Sequence, residues 1–364
     1  MQIQKTTYFP ELTGIRAVAA FLVFFHHYNP FERFGSDGFF RNCVNEFHVG
    51  VSIFFVLSGL LISFRYHYNI NASFRRYILN RFARIYPVYF LLTGLTFLFG
   101  DIHTQENIYV VYIVNITLLK GLFYELNFTG IQQGWSLTVE ELFYFSAPFF
   151  FYLIRKNKIW LWLSPILLIS TGYCLVLFFG QIGIYGFFKS INFMLLYTYF
   201  GRSIEFFTGI YLGIHIRKWK FWHTTPWLTY TGTLVICLCI SMLALLKGDG
   251  KYGLFHPAGI FINNVILPIL GVLVLFTGLI LETSRLKQLL SSRLMVLLGK
   301  SSYVFYLIHM GFFADLLTKW FNMNSLGKFI VLNLLSILIF KLIEEPLNHL
   351  IKRLGQDSKQ AIKT

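Results

Sequence analysis

The first apolar segment of the chain, residues 12–29, contains three basic side chains, Arg16, His26 and His27. On an α-helix, Arg16 and His27 lie within about 20° of the same face and about 16 Å apart along the axis, whereas His26 lies about 80° to the side. Ionisable groups inside an apolar helix cost several kcal/mol and usually mark a functional site. We therefore predict a fixed cation and a titratable imidazole on one inward face. The alternative, that both histidines only mark the interfacial end of the helix, leaves Arg16 unexplained.

A second group of basic residues follows the next apolar segment and contains Arg75, Arg76, Arg81 and Arg84. Arg81 and Arg84 share a helix face because they are three residues apart. Guanidinium groups bind phosphate and pyrophosphate through paired, charge-assisted hydrogen bonds. The alternative is that this cluster anchors the chain to anionic lipid, and charge alone favours that alternative.

Two adjacent carboxylates, Glu140 and Glu141, follow Ser136 and Thr138 at the start of another apolar segment. A hydroxyl cap and an acidic residue in the first turn are ordinary ways to stabilise a helix N-terminus. Because adjacent residues face different directions, capping does not explain both carboxylates. One of them is therefore a candidate site residue.

A later segment places Ser302 and His309 on one helix face, seven residues apart, with His309 well inside an apolar stretch. An imidazole without a partner is costly in that position. His309 is therefore either a site residue or a histidine bonded to the carbonyl of a neighbouring helix, and the sequence leaves both interpretations open.

The composition predicts a membrane protein. Of the 364 residues, 56% are hydrophobic and 13% are charged, whereas soluble domains carry about 25% charged residues. The aromatic content of 19% suits lipid-facing helices and interfacial belts. The net charge of +15 is not concentrated as a nucleic-acid-binding groove requires. The four cysteines lack metal-ligand spacing and are too few for a disulfide scaffold.

We predict ten transmembrane helices, since a helix needs about 20 apolar residues to cross the hydrocarbon layer. They lie near residues 12–29, 49–66, 86–101, 136–154, 159–179, 203–216, 227–246, 258–281, 301–318 and 328–344. If the weaker segment 107–124 does not span and the N-terminus is inside, 20 of the 31 Lys and Arg residues fall inside and nine outside. This bias agrees with the positive-inside rule. We therefore expect both termini to be cytoplasmic and 107–124 to be re-entrant, interfacial or packed within the protein.

Taken together, these features resemble the acyltransferase-3 family of bacterial membrane O-acyltransferases, nearly from end to end. Similar motifs occur in the same order: Arg16 and His27 with ten residues between them, the paired-Phe segment from Gly50 to Ser58-Gly59, Arg81 and Arg84 before Ile85-Tyr86-Pro87, Trp135-Ser136-Leu137 with Glu140, the run from Ser302-Tyr303 to His309, and Glu345-Pro346. Each motif alone is weak. Their order, on the sides that the charge bias assigns, makes the resemblance specific.

The chain departs from the family pattern at three positions. Thr13 stands where many relatives have Asp, Ser52 where an acidic residue is common, and Leu142 where Gln is frequent. None of these departures removes a proposed catalytic group. Some relatives carry a C-terminal esterase-like domain, and because this chain ends soon after its last span, we expect any second transfer step to need another protein.

The resemblance implies an all-α polytopic membrane domain over residues 1–346 and a polar cytoplasmic tail over residues 347–364. It implies an enzyme of the bacterial cytoplasmic membrane that moves an acyl group, by family habit acetyl, from cytoplasmic acyl-CoA to a hydroxyl of a cell-envelope glycan or lipid-linked saccharide. Membrane lipids and other polysaccharide-assembly proteins are the expected partners. Nucleic acid, metal and redox cofactors are not expected.

The resemblance also implies roles for single residues. Arg81 and Arg84, helped by Arg76, would hold the phosphates of the donor. His27 would act as general base on the acceptor hydroxyl or would carry the acyl group itself, and the sequence does not decide between these routes.

Three more catalytic candidates follow from the same motifs. Arg16 would orient the donor or stabilise charge on the thioester oxygen, Glu140 would polarise His27 or bind the sugar, and His309 would be a second base or an acceptor-site residue. The residues expected to line or support the site are Ser58, Gly59, Trp135, Ser136, Ser302 and Tyr303.

A transporter or flippase for a glycan or a lipid-linked sugar is the main alternative, because it explains many spans and buried charges without chemistry. Secondary transporters often contain paired half-repeats around a midplane site, and the sequence shows no internal repeat. A lipid-binding scaffold is a third interpretation, but it leaves Arg16, His27 and His309 unexplained.

Overall fold

A computed structural model describes residues 8–34, 38–68, 74–100, 107–219, 225–248 and 250–360. Within these ranges the chain is built from α-helices, and the one extended pairing is an isolated bridge between Phe123 and Phe187. The helices are α1 (Pro10–His27), α2 (Phe39–Asn45), α3 (Val49–Tyr66), α4 (Phe74–Phe99), α5 (Ile108–Ile116), α6 (Trp135–Lys156), α7 (Trp160–Phe179), α8 (Ile191–Tyr197), α9 (Ser203–His215), α10 (Trp227–Leu246), α11 (Pro257–Phe261), α12 (Leu273–Leu281), α13 (Arg285–Leu290), α14 (Arg293–Ile308), α15 (Phe312–Phe321), α16 (Ser325–Ile339) and α17 (Glu345–Gln360).

Two π-helical stretches make longer rods from these pieces. Ile262–Val272 joins α11 to α12, and Phe340–Glu344 joins α16 to α17. The resulting helices are long enough to cross a bilayer, although their hydrogen-bond pattern changes partway along.

Seven helices in the described ranges are long and apolar enough to span a membrane, and an eighth span is possible if α14 and α15 form one span bent by 81°. This finding confirms the predicted all-α polytopic membrane fold. Each of the ten predicted segments is helical, but α1 carries Glu11 and Arg16, and α9 has only 13 residues. The count of ten spans and the orientation of the termini stay predictions.

The segment 107–124 contains the nine-residue helix α5 and a short 3₁₀ turn, Lys120–Leu122. A nine-residue helix is about 14 Å long, whereas the hydrocarbon layer is about 30 Å thick. This segment is therefore too short to span as a helix, in agreement with its predicted non-spanning role.

The C-terminal region, predicted as a polar tail over 347–364, is helical up to Gln360. α17 packs against α4, the helix that carries the arginine cluster. Residues 361–364 lie outside the described residues. The tail therefore contributes to the surface around the arginines.

The centre of the molecule is a group of helices in direct backbone contact. α3 packs closely on α9, and α1 lies between α3 and α14. A Cβ atom placed on Gly59 would overlap the carbonyl oxygen of Phe206, and one on Gly299 would overlap the carbonyl of Thr13. Small residues allow this approach, which drives helix association in lipid through packing rather than through the hydrophobic effect.

A matched pair of glycine substitutions tests this packing. Gly59→Ala places a methyl group against backbone, so we expect a loss of about 1–3 kcal/mol, the usual cost of overpacking. Gly94→Ala on α4 meets nothing within 4 Å, and the better helix propensity of Ala predicts no loss or a small gain. Thermal unfolding in detergent measures both. Equal stability of the two variants would contradict the close α3–α9 contact.

Candidate functional site

Two cavities and a narrow space between them lie along the central helices. The larger one, about 370 Å³, is lined by His26, His27, His48 and Met310 among others, and we call it the histidine cavity. The second, about 240 Å³, is lined by Arg16, Arg65, Arg81 and Arg84 among others, and we call it the arginine cavity. The space between them, about 40 Å³, is lined by residues of both, and we call it the neck.

The histidine cavity brings together the end of α1 and the end of α14. His27 is the last residue of α1, and His309 directly follows α14. Their ring centroids are 5.5 Å apart, although the two residues are far apart in the sequence. The structure therefore places two of the predicted catalytic candidates side by side, with His27 in the lining of the cavity and His309 completely buried next to it.

The ring orientation of His309 follows from its hydrogen bond. Its Nδ1 lies 2.7 Å from the carbonyl oxygen of Tyr306, and because a carbonyl only accepts, Nδ1 must carry the proton. In the neutral ring, Nε2 then carries the lone pair. This atom is buried and has no hydrogen-bond partner among the described residues. His309 is thus bonded to a carbonyl, as one interpretation of the sequence expected, and keeps an unpartnered Nε2, although it does not itself line the histidine cavity.

Gln133 holds the same turn in place. Its Nε2 donates to the carbonyls of Tyr306 and Leu307, at 2.7 and 2.6 Å. The last carbonyls of a helix lack partners within it, and here the sharp bend between α14 and α15 prevents the chain from supplying them. Gln133 supplies them instead and so fixes the backbone that positions His309.

A buried ion pair forms part of the histidine cavity. Arg202 donates through Nε and Nη2 to the carboxylate of Glu205, at 2.7 and 2.8 Å, and through Nη2 to Ser52 Oγ at 3.0 Å. Both charged side chains are almost completely buried. Ser52, one of the departures from the family pattern, therefore lies in the polar network beside the site.

The remaining walls of the histidine cavity are aromatic. No Asp or Glu is found among its described lining residues, whereas six Phe, Trp or Tyr side chains are present: Phe128, Trp135, Tyr197, Tyr252, Phe255 and Tyr306. Flat aromatic surfaces beside polar hydrogen-bonding groups can accommodate a sugar ring. This cavity therefore suits a glycan hydroxyl next to an imidazole.

The arginine cavity has an excess of positive charge. Glu140 is the one carboxylate among its described lining residues, and it accepts hydrogen bonds from Ser58 at 2.7 Å and Tyr144 at 3.1 Å. The Nε atoms of Arg16 and Arg81 are buried without a partner in the described part of the chain. Unpaired guanidinium donors that face one cavity are what a phosphate-bearing ligand requires.

The neck contains three of the residues expected to line the site, Ser136, Ser302 and Tyr303. Ser136 and Tyr306 hydroxyls are 2.9 Å apart, Tyr303 donates to the Ile85 carbonyl at 2.8 Å, and Ser302 bonds back to Gly299. Phe54 packs edge-on against Tyr306, with ring centroids 5.8 Å apart. The neck is therefore a narrow space whose walls combine hydroxyl groups, the charged side chains of Arg16 and Glu140, and apolar side chains such as Phe54, Phe55 and Leu137.

The structure corrects several expected groupings. Arg76 is exposed on α4 and lines neither cavity, because it faces away from the side that carries Arg81 and Arg84. Glu140 lies with the arginines and not with His27, so the expected contact between Glu140 and His27 is not formed. Gly59 faces α9 and supports the site through packing only.

Other site residues escaped the sequence analysis. They are Arg65 in the arginine cavity and Gln133, Arg202 and Lys251 in the histidine cavity. The spacing of Arg202 and Glu205, three residues apart, could have revealed an ion pair. Gln133 carries no comparable signal, since its partners lie on a helix more than 170 residues away.

Lys120, in the segment expected to be re-entrant, interfacial or packed within the protein, is completely buried. Its Nζ donates to the carbonyls of Thr129, at 2.7 Å, and Ile131. Burial lowers the pKa of Lys120 to about 7. Because the side chain is shielded from solvent, the two carbonyls are needed to satisfy its N–H groups. Lys120 thereby fixes the loop that leads into Gln133.

The fold and the two connected cavities define a polytopic membrane protein with a site inside its helix bundle. The chain belongs to the acyltransferase-3 family, because the family model, described as an acyltransferase domain, matches residues 9–343. This match confirms the family predicted from the motifs.

Curated relatives are named as O-acetyltransferases. The peptidoglycan O-acetyltransferase OatA of Listeria monocytogenes is 24% identical over 342 residues, 83% of this chain and 49% of that protein. A provisionally named O-acetyltransferase of Staphylococcus aureus strain COL is 23% identical over 335 residues, 84% of this chain and 51% of that protein. The provisionally named peptidoglycan O-acetyltransferase YrhL of Bacillus subtilis is 29% identical over 167 residues, 40% of this chain and 24% of that protein. The chain spans about half the length of the first two, and no solved structure matches it.

The buried ion pair predicts a large difference between two glutamate substitutions. Glu205→Ala leaves Arg202 as a buried charge without its partner, which costs about 3–5 kcal/mol. Glu125→Ala removes an exposed pair with Lys189 at 3.9 Å, which costs at most about 1 kcal/mol. Melting temperatures in detergent compare the two variants. A Glu205→Ala protein as stable as Glu125→Ala would show that Arg202 finds water or another partner.

Proposed function

We propose that this chain transfers an acetyl group from an acyl-CoA donor in the arginine cavity to a hydroxyl of a cell-envelope glycan in the histidine cavity. The observation that carries this proposal is the arrangement of the two cavities, one lined by four arginines and the other containing adjacent imidazoles, joined by the neck. The family of the chain supports an acyltransferase reaction. The names of two relatives favour peptidoglycan as the acceptor.

The donor requires a site for several negative charges. Coenzyme A carries a pyrophosphate and a further phosphate, and the four arginines of the arginine cavity match that charge better than a neutral ligand would. Each charge-assisted hydrogen bond contributes about 1.5–3 kcal/mol. The thioester at the end of the extended arm can then point through the neck toward His27.

The acceptor hydroxyl needs a base, and two routes satisfy the chemistry. In the first, an imidazole takes the hydroxyl proton while the oxygen attacks the thioester carbonyl, the C–S bond breaks and the thiolate of coenzyme A leaves. In the second, an imidazole nitrogen attacks the thioester, coenzyme A leaves, and the acyl-imidazole then passes its acyl group to the hydroxyl. The free Nε2 of His309 beside His27 supports either route, since one ring can act while the other holds a proton.

The remaining expectations follow from this reaction. The protein would act in the bacterial cytoplasmic membrane, with the arginine cavity facing the cytoplasm, and in contact with lipids and other glycan-assembly proteins. Transport without chemistry is the alternative outcome of the test below.

The test is acetyl transfer by the purified protein in nanodiscs, with radiolabelled acetyl-CoA and a peptidoglycan extract. We expect label in the glycan with the wild type and a loss of at least about 100-fold with His27→Ala, the usual contribution of a general base. The control is Phe21→Ala, a substitution on the same helix that lines neither cavity. Absence of donor turnover by folded wild type would refute the proposal and favour transport.

The assignment of the donor to the arginine cavity predicts different effects for two arginines of α4. Arg84→Ala removes one guanidinium from the arginine cavity, so KM for acetyl-CoA should rise about 10-fold or more, from the loss of one charge-assisted bond. Arg75→Ala, an exposed position that lines neither cavity, should leave KM nearly unchanged. Initial rates against acetyl-CoA concentration measure both. Equal changes in the two variants would indicate a general surface-charge effect.

A further inference from the structure

A third cavity lies beside the arginine cavity and under helix α17, and we call it the α17 cavity. Its volume is about 250 Å³. It shares Tyr8, Thr13, Arg16 and Arg84 with the arginine cavity, whereas Arg16 alone of its described lining residues also lines the neck. The arginine cavity therefore lies between the neck and the α17 cavity.

One polar face of α17 forms a wall of this cavity. Glu345, Asn348, His349 and Lys352 line it, and their spacing of three, four and seven residues places them on the same side of a helix. The next residue, Arg353, points about 100° away, is exposed and lines neither the three cavities nor the neck. Because α17 packs against α4, its polar face is held over the cavity.

The charged side chains of the α17 cavity leave an excess of positive charge. They are Arg16, Arg84, Lys300, Lys352, Glu344 and Glu345. Within the described part of the chain, no salt bridge joins any two of them. Lys352 is half-buried, and a cation that is partly removed from water attracts an anion more strongly than an exposed one. The cavity therefore suits an anionic group beside Lys352.

The same cavity also provides a hydrogen-bond acceptor and aromatic rings. Glu344 is almost completely buried, and its Oε2 has no hydrogen-bond partner among the described residues. Such an oxygen is costly to leave unsatisfied, so it needs an N–H or O–H donor. Tyr8 and His349 contribute exposed rings, and aromatic rings stack on nucleobases. A ligand with a phosphate, polar hydrogens and a flat base meets these requirements together.

The nucleotide end of coenzyme A has this combination of groups. It is an adenosine that carries a 3′-phosphate, and the pyrophosphate separates it from the neutral arm that ends in the thioester. If the thioester points through the neck, the adenosine must lie on the opposite side of the arginine cavity, where the α17 cavity is found. The arginine cavity alone, at about 240 Å³, is smaller than the range of about 300–1,000 Å³ that is usual for drug-sized ligands. The donor therefore needs the additional space.

We propose that the α17 cavity binds the adenosine 3′-phosphate of the donor and that Lys352 contacts this phosphate. The proposal rests on the acyl-CoA donor proposed above. The pyrophosphate then lies in the arginine cavity, which Arg81 lines without reaching the α17 cavity. Lys352 and Arg81 are thereby assigned to different phosphates of one ligand, and this division can be measured.

The experiment compares the binding of coenzyme A and 3′-dephospho-coenzyme A to the purified protein in nanodiscs by isothermal titration calorimetry. The two ligands differ only in the 3′-phosphate. The wild type should bind coenzyme A about 10-fold more tightly, the effect of one charge-assisted hydrogen bond. Lys352→Ala should weaken coenzyme A about 10-fold and change the Kd of the dephospho ligand by less than about 2-fold, because only coenzyme A carries the phosphate that Lys352 contacts.

Three further variants separate a specific contact from a general effect. Arg81→Ala should weaken both ligands equally, since both contain the pyrophosphate. Arg353→Ala removes the same charge from the next residue of α17 and should leave both Kd values unchanged. Lys352→Arg keeps the cation and should keep most of the preference for coenzyme A. If Lys352→Ala does not fold, Lys352→Gln is judged by the same criterion.

Three results would overturn the inference. One is equal affinity of the wild type for the two ligands, and another is an equal loss for both ligands in Lys352→Ala. The third is a loss in Arg353→Ala as large as that in Lys352→Ala, which would indicate a general charge effect of α17. Failure of the proposed function appears differently. Binding with the expected pattern but without acetyl transfer would support the nucleotide site and refute the transfer, whereas no binding of coenzyme A to the folded wild type would refute both.

Discussion

Direct backbone contact between the central helices is the constraint on which the rest of the structure depends. In a bilayer, lipid is as apolar as the side chains, so helices associate through close packing rather than through the hydrophobic effect. Glycines at the α1–α3, α3–α9 and α1–α14 contacts make this approach possible. Because α1 carries Arg16 and His27, its fixed position between α3 and α14 determines where both cavities lie and how narrow the neck between them is.

A second constraint follows from the first, since closely packed helices in lipid leave polar groups without water. The protein satisfies them from within: Gln133 bonds the last carbonyls of α14, Lys120 bonds two loop carbonyls, and Glu205 neutralises Arg202. Against this background, the buried nitrogens of Arg16, Arg81 and His309 that lack partners among the described residues stand out. An unpaired buried donor or acceptor is costly, and Arg16 and Arg81 line the arginine cavity, where a ligand could supply the missing bonds.

The sequence was informative wherever function depends on local geometry. Helix periodicity correctly placed Arg81 and Arg84 on one face, and motif order led to the family. It could not show that Arg16 and His27, although on one face, lie in different cavities, because that depends on which helices surround each end of α1. Arg65 and Gln133 were missed for the same reason: their importance comes from contacts with distant helices. Arg76 was included because it is near in sequence, yet on α4 it points elsewhere.

The separation of charge along α1 also explains why two cavities serve better than one. Phosphates need guanidinium partners. An imidazole that must take up a proton is hindered by fixed cations nearby, because they disfavour its charged form. About 16 Å of helix separates Arg16 from His27, which weakens the repulsion between the arginines of the arginine cavity and a proton on the imidazole pair. Within the histidine cavity, Glu205 neutralises Arg202, and Lys251 is a further basic side chain. Only the uncharged arm of the donor, with the acyl group at its end, has to cross that distance. The charged part of the donor remains with the arginines, so its phosphates never enter the low-dielectric centre of the bundle, where burial of an unpaired charge costs most.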